Sequence, residues 1–131
     1  MRAIAAALVV LAGATSAGCG TGGSERDAKG SVGRFYAALE RRDAAGACEE
    51  LTEEAQSALE REQRKPCEEA ILSLELSPST PSNAEVAQTS AIVQTQEGDT
   101  VFLDQTSAGW RISAAGCVEV PGSPYECELE S

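Results

Sequence analysis

Five cysteines, Cys19, Cys48, Cys67, Cys117 and Cys127, are the residues of this 131-residue chain whose type and spacing promise covalent chemistry. The chain has no histidine, and no two of its cysteines stand at the close spacing of a zinc ribbon or a C-x-x-C redox pair. Metal ligation and thiol–disulfide catalysis are therefore poor readings, and no metal or cofactor is expected. Oxidation into structural bridges is the better one, and it belongs to an oxidising compartment. The last four cysteines allow three pairings. Cys48 with Cys67 and Cys117 with Cys127 is the favoured set, because each pair closes a short segment within one half of the chain. Each bridge restricts the unfolded chain and contributes about 3 kcal/mol, on the loop-entropy model.

Cys19 has a different neighbourhood. Met1-Arg2 places a positive charge ahead of Ala3 to Ala14, an unbroken run of apolar and small residues that is too short for a permanent membrane span. This is the pattern of a secretory leader. Ala17-Gly18-Cys19 resembles the end of a bacterial lipobox, with Ser16 where an aliphatic residue is commonest. The resemblance implies that the Cys19 thiol receives a diacylglyceryl group and that cleavage makes Cys19 the new N-terminus. Parity agrees, since lipidation of Cys19 leaves four thiols to pair. The expected layout is a signal peptide over residues 1–18, a lipidated cysteine and flexible tether over 19–27, and one domain over 28–131. The alternative is cleavage after Ala14 or Ala17 by the ordinary signal peptidase, which would release a secreted protein. The expected location is the extracytoplasmic face of the cell membrane, with acyl chains each adding about 0.8 kcal/mol per buried CH₂.

Composition narrows the partners. Ten basic residues against 21 acidic ones give a net charge of −11, which argues against nucleic acid and against adhesion to anionic lipid, both of which need a basic surface. One Trp, two Tyr and two Phe are all the aromatic residues, and much of the apolar fraction is Ala. A domain this lean is a natural candidate for covalent staples.

The elements that must position these residues follow from periodicity. Ala28, Val32, Phe35, Tyr36 and Leu39 recur at three- and four-residue intervals and predict an amphipathic helix over 25–42, with Gly30 and Gly33 moving its expected start towards Ser31. Asp43 reads as the N-cap of a short helix over 44–51, and Thr52, followed by Glu53 and Glu54, as the cap of a third that runs to Arg64. Pro66 opens a fourth with Cys67, Ala70, Ile71 and Leu74 inward. Ser77 to Asn83 reads as a loop, after which the period changes to two. Strands are expected over 85–88, 90–96, 100–106, 110–115 and 125–130, with Pro121 to Pro124 as the loop between Cys117 and Cys127.

Helices followed by an antiparallel meander predict an α+β fold. Val32-x-x-Phe35-Tyr36-x-x-Leu39, Gly98-Asp99-Thr100 before an apolar strand, Gly109-Trp110-Arg111-Ile112, Gly116-Cys117 and Tyr125-Glu126-Cys127 together resemble the nuclear-transport-factor-2-like (SnoaL-like) superfamily, in its exported bacterial lipoprotein branch. The resemblance implies N-terminal helices packed on a curved antiparallel sheet that forms a cone with an apolar pocket. Two functions follow: the anchor, the bridges and the missing catalytic set favour the first, and the enzymes of the superfamily suggest the second. One is a noncatalytic binding or accessory domain for a small apolar ligand or an envelope protein. The other is a pocket enzyme of the isomerase, dehydratase or cyclase type, in which, without a histidine, Asp104 serves as base and Tyr36 as hydrogen-bond donor to an oxyanion. Tyr36, Phe102, Asp104 and Trp110 are the candidate pocket residues. Ordinary packing competes for each: a solvated strand carboxylate, a core tyrosine and a tryptophan anchoring the sheet. Nothing in the sequence supplies a nucleophile elbow or a phosphate loop.

Overall fold

A computed structural model describes residues 21–131, with side chains from Ser24 onward. The leader, the cleavage site and Cys19 lie outside the described residues. Four helices come first, α1 (Thr21–Glu40), α2 (Ala44–Glu49), α3 (Glu53–Gln63) and α4 (Cys67–Ile71). Six strands follow, β1 (Pro81–Ala87), β2 (Ser90–Thr95), β3 (Thr100–Thr106), β4 (Gly109–Val120), β5 (Ser123–Glu126) and β6 (Leu129–Glu130). The fold is therefore α+β, helices then an antiparallel sheet.

Helix α1 buries Ala28, Val32, Phe35, Tyr36 and Ala38 on one face, the stripe that its spacing requires. It begins at Thr21 rather than near Ser31, so residues 21–27, expected as tether, are helical. Two glycines cost about 1 kcal/mol each in a helix interior. Full burial of Ala28, Val32 and Phe35 on either side of them returns more than that at about 1.5–3 kcal/mol per large apolar side chain, so the helix runs through. Asp43 and Thr52 cap as expected, accepting from the backbone N–H of Gly46 at 3.0 Å and of Ala55 at 3.1 Å.

The sheet runs β1-β2-β3-β4-β5, with β6 also on β4. Strand β1 takes in Pro81 to Asn83, expected as loop, because an edge strand spares Pro81 a missing N–H. Strand β4 continues well past Ala115, where it was expected to end. Between Thr100↔Cys117 and Leu103↔Ile112 it carries two more residues than β3, and such bulges bend a strand without ending it. Gly116 makes the turn at φ +64°, where an added Cβ would stand 2.8 Å from Leu76 Cδ2. The C-terminal strand, expected as one piece, is broken at Cys127-Glu128. Val118↔Glu126 and Ala115↔Leu129 nonetheless share one register, which sets Cys127 opposite Cys117.

Both expected cysteine pairs lie at bonding distance, Cys48–Cys67 at 2.04 Å and Cys117–Cys127 at 2.11 Å. The first joins α2 to α4, and the second joins β4 to the chain between β5 and β6. Between helices and sheet the interior is filled by Val32, Phe35, Leu59, Ile71, Leu103 and Ile112. Backbone bonds seal one seam: Thr52 N–H donates to the Ile112 carbonyl at 2.9 Å, and Ile112 N–H to that of Glu50 at 2.8 Å.

Two substitutions check this account of the glycines. Gly33→Ala places its Cβ in ordinary contact, 4.0 Å from Pro81 Cγ, and should raise stability by about 0.5–1 kcal/mol. Gly116→Ala must adopt a left-handed conformation beside Leu76 and should lower it by about 1–3 kcal/mol. Urea midpoints with the bridges intact test both, and equal midpoints for the two variants would refute it.

Candidate functional site

The most densely connected polar group among the described residues is Asp99, at the end of the β2–β3 turn. The turn needs a residue at positive φ, and Gly98 supplies it at +98°. That swings the Asp99 carboxylate inward, where hydroxyls from three distant segments converge. The Tyr36 phenol donates to Oδ2 at 3.0 Å from α1. Ser79 Oγ lies 3.1 Å from Oδ1 and 3.3 Å from Oδ2, reaching in from the segment before β1. Thr95 Oγ1 donates to Oδ1 at 2.5 Å, and the Asp99 N–H returns a bond to Thr95 Oγ1 at 3.2 Å. Ser79, Thr95 and Tyr36 are all buried, and neither described ion pair includes Asp99.

Burial is the largest of the effects that raise the Tyr36 phenol above its ordinary pKa, followed by the charge of Asp99 and the hydrogen bond to it; contacts with Ser79 and the Gly116 backbone oppose them. The phenol is thus held as a donor. With both carboxylate oxygens of Asp99 taken by internal hydroxyls and the phenol committed to one of them, the arrangement is built to join segments rather than to move protons.

The structure separates the four residues expected to share a pocket. Tyr36 and Trp110 are buried on the inner side of the sheet, at 2% and 5% exposure. Phe102 and Asp104 point to the other side, alternating with buried Val101 and Leu103. Phe102 packs edge-on against Tyr125 with ring centroids 5.0 Å apart. Asp104 is exposed, takes a 3.3 Å hydrogen bond from Ser90 Oγ and sits opposite Arg111 on β4. Base and donor of the expected enzyme therefore face opposite sides of one sheet.

Cavities open at both ends of the sheet. One of about 340 Å³ lies beside Asp99 and is lined by Ser82, Gln94, Thr95, Thr100, Glu119 and Tyr125. A second at that end, of about 360 Å³, is lined by Glu75, Leu76, Glu97, Gly116, Val118 and Glu128. At the opposite end a cavity of about 410 Å³ lies between Leu51, Thr52, Glu53 and Glu54 on the helical side and Thr106, Ser107, Ala108 and Arg111 on the sheet side. Each has charged side chains in its lining, whereas the pocket expected was apolar. No group of three or more acidic or cysteine side chains is placed to hold a metal ion among the described residues. No described helix is long and apolar enough to cross a membrane.

Sequence reasoning missed Asp99, Ser79 and Thr95 as a unit. Gly98-Asp99 falls between the strands expected over 90–96 and 100–106, and an aspartate in such a connection is ordinarily solvated. The partner that changes this, Tyr36, is 63 residues away.

Comparison with protein-family models, with curated proteins and with solved structures finds no match.

The raised phenol gives a pH dependence with a definite sign. Below about pH 10, the ordinary value for tyrosine, Tyr36 is neutral in both folded and unfolded chains. Above it the unfolded chain releases that proton while the folded protein retains it, so stability falls as pH rises until the folded phenol also ionises. Tyr36→Phe should flatten that fall between about pH 9 and 11, and at pH 7 should cost about 1–3 kcal/mol by leaving Asp99 short of a donor. Urea midpoints measured across this range for both proteins test it; parallel curves would refute the assignment.

Proposed function

We propose that this chain is an exported lipoprotein, held on the extracytoplasmic face of the cell membrane by acyl chains on Cys19, whose domain binds an envelope partner without catalysis. The observation that carries the reading is the pairing of Cys48 with Cys67 and of Cys117 with Cys127 at bonding distance. Bridges of this kind suit an oxidising compartment, and they account for four of the five cysteines, leaving Cys19, behind its leader-like run, for the lipid. The architecture is read as the nuclear-transport-factor-2-like cone. That reading is supported by a long amphipathic helix packed on a bulged antiparallel sheet, and by one strand, β4, carrying Trp110, Ile112 and Cys117, the last bridged to Cys127.

A filled interior favours an envelope protein over a small apolar ligand as the partner. The exposed position of Asp104 weighs against the isomerase or dehydratase alternative, since with no histidine in the chain that alternative has no other base assigned to it.

Intact-mass analysis of the membrane fraction tests the proposal. The expected mass contains a diacylglyceryl group on Cys19 and four cysteines with no free thiol, and Cys19→Ser should move the protein out of the membrane fraction. An unmodified Cys19, or reduced thiols in the native protein, would overturn it.

A further inference from the structure

The described domain has two chemically different ends, and α1 ties one of them to the anchor. The direction of α1 is fixed by its contacts. Near its C-terminal end, Tyr36 bonds Asp99 in the β2–β3 turn. One turn earlier, Ser31 Oγ donates to Glu50 Oε2 at 2.8 Å, and the Glu50 carbonyl accepts from Ile112 on β4. Going back along α1 therefore means leaving the β2–β3 turn and moving towards the start of β4. From Ile112 the strand has three residues left before Gly109, about 10 Å. From Ser31 the helix has ten left before Thr21, about 15 Å. The start of α1 consequently lies towards the end of the sheet that carries the β3–β4 turn, and the β1–β2 turn lies at that same end, through Ser90↔Asp104 and Asp104↔Arg111. Only Gly20 separates Thr21 from Cys19.

That end is unusual for so acidic a chain. The β1–β2 turn, Ala87-Gln88-Thr89-Ser90, and the β3–β4 turn, Thr106-Ser107-Ala108-Gly109, contain no charged residue. The opposite end carries Glu97 and Asp99 in its turn, with Glu75, Glu119 and Glu128 beside the cavities there. The charged groups near the uncharged turns are mixed: Asp104, which takes a hydrogen bond from Ser90, Glu53, Glu54 and Arg111 around the 410 Å³ cavity, and Glu25, Arg26, Asp27 and Lys29 in the first turns of α1.

We infer that the β1–β2 and β3–β4 turns form a membrane-facing surface that rests against lipid head groups, so that the acidic end with its Asp99 cavity points away from the bilayer. The inference rests on the lipid-anchor reading above. An anchor one residue before a helix leaves little chain to reorient the domain. Of the two ends, the one lacking carboxylates in its turns is the one an anionic surface repels least. The occupant of this surface is the lipid surface itself; a protein partner meets the other end.

The test uses the acylated full-length product in nanodiscs containing anionic lipid and a gadolinium-chelate head group. The amide resonances of Gln88, Thr89, Ser107 and Ala108 should lose most of their intensity, while those of Gly98 and Gly122 keep theirs. Broadening centred on Gly98 and Gly122, or spread evenly over both ends, would overturn the orientation. The mass of the same sample separates the two ideas. An unacylated Cys19 overturns the anchor and this surface with it, whereas an acylated Cys19 with the wrong broadening pattern overturns this surface alone.

Discussion

One carboxylate organises the described fold. Asp99 sits at the end of a hairpin turn, yet it accepts hydrogen bonds from α1, from the segment entering β1 and from the end of β2. Each of these segments could pack on the others by apolar contact alone, but apolar contact is indifferent to small slips. A charged acceptor with several donors is not, because each slip leaves a buried polar group unpaired at about 1–3 kcal/mol. The network therefore fixes where the C-terminal half of α1 lies on the sheet, and through Tyr36 it fixes the rotation of the helix as well.

Near the middle of α1 a similar device works at the surface. Arg34 Nε contacts Glu50 Oε1 at 2.7 Å, and fully buried Ser31 donates to the same carboxylate. The ion pair is open to solvent on its Arg34 side, with the Glu50 side chain 12% exposed, and screening of the guanidinium keeps its contribution near the roughly 0–1 kcal/mol of surface pairs. The buried hydroxyl gives the contact its specificity. Between these two polar ties lies a core with few large side chains, and the cysteine bridges make up for it in the segments that the core grips least. One joins two short helices of six and five residues, neither of which is long enough to persist alone in water. The other joins a broken edge of the sheet.

Much of this was legible in the sequence, and the parts that were not share a cause. The helices were readable because their signals are local: a three- and four-residue apolar spacing around Val32 and Phe35, and caps at Asp43 and Thr52. The cysteine pairs were readable because each spans a short segment. The expected strands stop too early, at Ala115, and start too late, at Glu85 instead of Pro81, because glycine and proline usually interrupt a strand. In the fold Gly116 serves a bulge and Pro81 lies on an edge. The Asp99 cluster was not legible at all. Its members are spread over 63 residues with no spacing rule to connect them, and each looks ordinary in its own neighbourhood.

The same sheet that makes the fold legible also limits its chemistry. Side chains alternate strictly across a strand, so Leu103 and Asp104 belong to opposite faces whatever rotamer either adopts. Leu103 is buried against the helices, and that commits Asp104 to the other side; moving it inward would need a one-residue slip of β3, which would expose Val101 and Leu103 together. The enclosed side, meanwhile, is occupied by Phe35, Trp110 and Ile112 rather than by solvent. A reactive centre between helix and sheet would thus need both a different register and a smaller set of core side chains. The surface features that remain, an acidic end and an end whose two hairpin turns carry no charge, depend on no such rearrangement.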